Sequence, residues 1–116
     1  MRNGERESAR RKLDEELRFY RQASRQKNPT QELLRKVRQV MGIPVAEMAR
    51  ELKVNRSGIF RLEQSEERGT ISLNSMDRVA RAMGFTLVYG IVPMDGKTMA
   101  DMADRRKWSR LLEGRE

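Results

Sequence analysis

Apolar residues recur along this chain at helical spacing, separated by charged stretches and short polar breaks. From Glu5 to Arg25 nothing interrupts a helix, and Leu13, Leu17 and Tyr20 fall at i, i+4 and i+7 among charges. So narrow a stripe can dock on something but cannot stand alone. Pro29 stops this helix, and Thr30 is placed to cap the next, which carries Leu34, Val37 and Met41 on one face and ends at Gly42. Pro44 opens a third segment in which Met48, Ala49 and Leu52 share a face. Val54 reads as the buried residue of a tight turn, and Asn55 as the cap of a helix that turns Ile59 and Leu62 inward. After the polar loop SEERGT, residues 65–70, Ser72 caps a helix whose Leu73, Met76, Val79, Ala80 and Met83 complete the core stripe before Gly84. Five helical patterns thus precede residue 85, and the four from Thr30 onward are short and closely spaced.

Residues 85–93, FTLVYGIVP, differ in kind: they are rich in β-branched and aromatic side chains and end at a proline, which predicts one strand. No second stretch of comparable quality exists, so a lone strand would leave its backbone N–H and C=O groups unpaired. Antiparallel pairing with the same strand of a second subunit, through Phe85, Leu87, Val88, Tyr89 and Ile91, would satisfy them. The alternative is an extended linker laid on its own domain and broken at Gly90. A final helix, Thr98 to Leu112, carries Met99, Met102, Trp108, Leu111 and Leu112. The pattern divides the chain into a helical extension (1–29), a central helical domain (30–84) and a strand-plus-helix segment (85–116) for dimerisation or partner binding.

At 116 residues the chain can bury one core but not two. Its 25 Lys+Arg against 17 Asp+Glu give a net charge of +8, which favours a polyanionic partner, nucleic acid first and an anionic membrane second. Residues 1–28 hold 9 basic and 5 acidic side chains, 29–84 hold 10 and 7, and 85–116 hold 6 and 5, so the excess lies in the first two thirds. Cysteine and histidine are both absent, which removes disulfides, thiolate and imidazole chemistry and nearly every zinc site. There is no glycine-rich phosphate loop, and Asp101 and Asp104 read as a solvated charge pair. An enzyme is not expected, nor is a cofactor or a metal. No apolar run approaches the roughly 18 to 20 residues needed to span a bilayer, no export signal follows the basic start, and the first helix lacks the bulky apolar face of a membrane-surface anchor. The expectation is a soluble cytoplasmic protein without a membrane partner.

The stretch KVNRSGIFRLEQ, residues 53–64, places Arg56, Ser57 and Arg61 on one side of a helix held down by Ile59 and Leu62. Ala49, Val54, the run Ile59, Leu62, Glu63 and the helix with Leu73, Met76, Val79 and Ala80 coincide in register with the XRE or Cro-like, lambda-repressor-like helix-turn-helix family, which residues 30–84 resemble. The flanks, an N-terminal helix and TLVYGIVP behind the domain, resemble the group called mobile mystery protein A. Its members are typically encoded beside a Fic-domain protein, an arrangement like a toxin and antitoxin pair. The fold the resemblance implies is mainly α: a five-helix-type DNA-binding domain with an N-terminal helical extension, one C-terminal β-strand pairing across a dimer, and a final helix.

In that family the residues matching Arg56, Ser57 and Arg61 point at base edges, and the one matching Asn55 lies near phosphate. The chemistry suits the task, because Arg is the best bidentate partner for guanine and a helix N-terminus favours an anion. Phe60 reads either as a packing ring at the groove edge, which is preferred, or as a contact to a thymine methyl. Val45 stands where the family commonly carries a phosphate-bracing glutamine. Backbone contact is therefore assigned to Arg68, Thr70 and the amides of the 65–70 loop, with Lys53 in reserve. Arg38 and Glu63 align with a partly buried pair that braces the reading helix. The function implied is a homodimeric repressor on an inverted-repeat operator in double-stranded DNA, autoregulatory and antitoxin-like. The rival is a protein-binding inhibitor of a neighbouring Fic-type toxin in which DNA binding is secondary.

Overall fold

Helices begin and end in this chain where capping side chains, glycines and carboxylates from other helices take up the loose backbone groups of their termini. The computed structural model describes residues 1–25 and 32–113. Among the described residues there are seven α-helices and no β-strand: α1 Asn3–Glu16, α2 Arg18–Ser24, α3 Leu33–Val40, α4 Val45–Leu52, α5 Arg56–Glu67, α6 Leu73–Ala82 and α7 Met99–Glu113. They belong to two compact units, Thr30–Val88 and the pair of flanks Met1–Pro29 with Tyr89–Glu116. No described helix is long and apolar enough to cross a membrane.

In the central unit, α3 to α6 enclose a core of Leu34, Met48, Ala49, Ile59 and Val79, ringed by half-buried Val45, Leu52, Leu62, Met76 and Met83. Gly42 takes φ +67, and Ile43 N–H donates back to the Arg38 carbonyl at 3.0 Å, closing α3 in the left-handed manner that glycine permits. Asn55 caps α5 by accepting from Gly58 N–H at 2.7 Å, and Ser72 caps α6 by accepting from Ser75 N–H at 3.0 Å. The start of α3 is satisfied from a distance: the Glu66 carboxylate of α5 accepts from Leu33 N–H at 3.0 Å and Leu34 N–H at 2.8 Å. The expected stop Pro29 and cap Thr30 lie outside the described residues.

Three apolar assignments differ. Met41 is exposed rather than in the core, because it lies just past the last residue of α3 and Arg38 occupies the inward position instead. Leu73 is exposed at the first position of α6, ahead of the turn that meets the core. Val54 is 39% exposed and lies close against the start of the next helix: a Cβ added to Gly58 would lie 3.1 Å from that of Val54. Residues 65–67, read from sequence as loop, continue α5 to Glu67.

The flanking unit departs further from the sequence pattern. The expected helix from Glu5 to Arg25 is two helices, broken at Leu17 (φ −96°, ψ 9°). At the break the Arg21 guanidinium donates to the Asp14 carbonyl at 2.5 Å, a side chain inserted into the helical ladder. The Asp14 carboxylate lies 3.7 Å from the same guanidinium and accepts from Met99 N–H at 2.8 Å and Ala100 N–H at 3.4 Å. It therefore caps α7 from α1, where the negative charge also meets the positive end of the helix dipole. Thr98 and Asp101 add a reciprocal cap, the Thr98 N–H donating to the carboxylate at 3.0 Å and the Asp101 N–H to the hydroxyl at 3.1 Å. These hydrogen bonds from the Thr98 backbone and side chain hold the Asp101 carboxyl below its ordinary range. Asp101 is thus a helix cap and not merely half of a solvated charge pair.

The strand expected over 85–93 is absent from the single chain, whose residues 85–93 carry no regular secondary structure. Phe85 N–H donates to the Ala80 carbonyl at 2.9 Å, but among the described residues none from 86 to 93 makes a backbone–backbone hydrogen bond. A ladder needs a second strand, and the described residues supply none. Gly90 instead approaches α2, where an added Cβ would lie 2.9 Å from the Tyr20 ring. Replacing Asp14 by alanine removes the cap of α7 and should cost about 0.5 to 2 kcal/mol, measured as a lower urea midpoint with loss of helical circular dichroism. An unchanged midpoint would show that α7 is held by packing alone.

Candidate nucleic-acid interface

At about 100° per residue, α5 sorts its side chains into two arcs. Ile59, Leu62, Glu63 and Glu66 face the unit, whereas Arg56, Ser57, Phe60, Arg61 and Gln64 are exposed. Two carboxylates on the inward arc fasten α5 to α3. Glu63 Oε1 accepts from Arg38 Nε at 2.6 Å, and its Oε2 accepts from Arg38 Nη2 at 3.4 Å, a forked pair with side chains only 7% and 11% exposed. Arg38 Nη1 also lies 3.5 Å from the Ile43 carbonyl. One turn on, Glu66 takes the first N–H groups of α3, so the two helices are tied at both ends of α3. Glu63 is therefore a structural anchor.

The outward arc is polar, cationic and unoccupied by partners. Arg56, at the first position of α5, and Arg61 have no carboxylate within 4.0 Å among the described residues, and Ser57 is exposed beside them. Arg61 also borders a cleft of about 290 Å³ that Leu52, Val54, Val79 and Arg78 help to line. Phe60 is 48% exposed and belongs to the presented face, outside the core cluster. Gln64, three residues after Arg61 and four after Phe60, joins the face. The sequence reading passed over it, although the same periodicity places it there. Glu67 lies at one edge as its acidic limit.

Residues assigned to a phosphate backbone sit around this face with differing freedom. Asn55 commits its side-chain oxygen to the cap of α5. Lys53 is exposed and held at φ 54°, ψ 43°, a left-handed conformation that costs a non-glycine residue roughly 1 to 2 kcal/mol. That strain sits in the link between α4 and α5. Arg68 is the exposed C-cap of α5, and the exposed Thr70 donates its hydroxyl to the Ser65 carbonyl at 3.4 Å. Val45 is half-buried against the core, where it adds packing in place of a polar contact. Of the strand residues, Val88, Tyr89 and Ile91 are 69%, 67% and 82% exposed, Phe85 is also exposed and Leu87 is half-buried.

No family model, curated protein or solved structure matches this chain. Chemically, the geometry offers a convex helix face rich in hydrogen-bond donors. Among the described residues no group of three acidic side chains is placed to hold a metal ion. Because the Arg38–Glu63 pair is buried, removing one partner strands a charge. Arg38→Met or Glu63→Leu alone should cost about 3 to 5 kcal/mol in denaturant unfolding, while the double substitution should recover most of the loss. Additive losses would show that the two side chains act independently.

Proposed function

We propose that this protein is a sequence-specific DNA-binding repressor that acts as a homodimer on an inverted repeat. The single observation that carries the reading is the exposed arc of α5, where Arg56, Ser57 and Arg61 stand free on a helix fixed from behind by a buried ion pair. A rigid helix with free guanidinium groups suits the major groove, where arginine pairs with guanine O6 and N7 through two hydrogen bonds. In this reading α4 and α5 are the helix-turn-helix of a lambda-repressor-like domain. Lys53, Arg68 and backbone amides near Thr70 meet phosphate. As the resemblance implies, the protein is also autoregulatory and antitoxin-like, with a Fic-domain toxin as its protein partner.

Dimerisation completes the reading. Residues 86–91 expose Val88, Tyr89 and Ile91 and have no main-chain hydrogen-bond partners among the described residues, which an antiparallel copy of the same segment would supply. Two such subunits would set their α5 helices in successive major grooves, with half-sites about 10 to 10.5 base pairs apart or a multiple of that.

Selection of bound fragments from random duplexes by the purified protein tests the reading, with a recovered inverted repeat expected. Arg56→Ala and Arg61→Ala should each cost about 1 to 3 kcal/mol at one base position, whereas Arg68→Ala should weaken all sequences alike and flatten the salt dependence. Equal loss on every sequence for all three variants would overturn the base-reading assignment. Val88→Pro removes a ladder donor and should give a monomer in sedimentation. A persistent dimer would place the subunit contact elsewhere.

A further inference from the structure

The flanking unit contains a feature that DNA reading leaves unused. α1 and α7 border a groove of about 1070 Å³, the larger of the two clefts described. Six cations line it, Arg6, Arg10 and Arg11 from α1 and Arg106, Lys107 and Arg110 from α7, against only Glu7 and Asp104. Arg11 is partly answered by Glu7 at 4.0 Å, and none of the other five cations has a carboxylate within that distance among the described residues. Apolar side chains, Met99, Met102, Ala103 and Leu111, share the lining with these charges. One atom is out of balance: Arg10 Nε is buried and has no acceptor among the described residues. A buried guanidinium nitrogen without a partner is unusual in a folded protein, and it marks Arg10 as the least well satisfied of the groove's cations.

We infer that this groove is a docking site for an acidic amphipathic helix of a partner protein. Such a helix would lay its apolar stripe on the methionines, whose flexible thioethers adapt to varied side chains, and would bring carboxylates to the cations, one of them to Arg10. The dimensions agree, since the lining positions from Met99 to Leu111 extend for about 18 Å along α7, enough to seat a helix of three turns or more. Nucleic acid would use the cations but gain nothing from the apolar lining. A flat anionic bilayer would meet the cationic edges of a concave groove without filling it. Only an occupant both acidic and apolar uses everything that lines it.

The probe is a fluorescein-labelled synthetic peptide of about four helical turns, with leucines at i, i+3, i+4 and i+7 and glutamates elsewhere, titrated against the full-length protein by anisotropy. A scrambled peptide of the same composition is the control. Saturable binding is expected, weakened about tenfold or more by scrambling, by Arg10→Glu and by Met102→Glu, and weakened further by salt. Arg10→Gln, which keeps the fold less burdened, should show a smaller loss in the same direction. Selection of duplex DNA by Arg10→Glu should be unchanged, which separates this site from α5. The inference is overturned if no saturable binding occurs, or if the scrambled peptide binds equally. It is likewise overturned if variants with native circular dichroism bind like the parent, or if duplex DNA or phosphatidylserine vesicles displace the peptide at this groove.

Discussion

The buried contact between Arg38 and Glu63 is the constraint on which the central unit depends. Two charges taken out of water must face one another, since either alone would be severely penalised. That requirement fixes the rotation of α5 about its axis, because Glu63 has to point at α3. Once Glu63 points inward, the helical repeat turns Ile59, one turn earlier, inward with it and sends Arg61 to the opposite side. The apolar core would tolerate small rotations of α5, because hydrophobic contact is not directional. A forked ion pair tolerates much less.

Carboxylates reaching across the chain recur in both units. Glu66 supplies the N-terminus of α3, and Asp14 that of α7, in each case where the helix's own preceding residue gives no side-chain cap to those N–H groups. The device ties a helix end to a distant element by a charge-assisted bond, so local helix stability becomes conditional on tertiary contact. For short helices this matters greatly, because eight residues such as those of α3 are marginal without tertiary support. It also leaves local capping residues such as Asn55 and Ser72 to the helices that begin after tight turns.

Charge is distributed by the same logic. Asp14 and Glu66, the carboxylates that reach across the chain to helix ends, are half-buried, whereas the guanidinium groups of Arg56 and Arg61 in α5, and several lining the α1 and α7 groove, have no acidic partner within 4.0 Å among the described residues. A net charge of +8 therefore understates the local fields. Two of the surfaces that present cations to an outside anion differ in character, one a convex helix face and one a groove lined partly with methionine. Their proposed occupants differ accordingly.

Periodicity, glycines and capping residues were legible along the chain because they act over one or two helical turns: the stripe of Met48, Ala49 and Leu52, the caps Asn55 and Ser72, and the end of α3 at Gly42 follow from local rules. Residues whose role depends on a distant partner were not. Asp14 and Glu66 look like ordinary surface acids until α7 and α3 are brought beside them, and the break at Leu17 exists because Arg21 reaches back to Asp14. Residues 85–93 have strand composition, yet composition cannot provide the second strand that a ladder requires. By itself the sequence determined the four helices of the central unit, apart from the last residues of α5, and which side of α5 is polar. Tertiary structure alone decided that the two flanks share one unit and leave a groove between α1 and α7, because that depends on which charges meet across the chain.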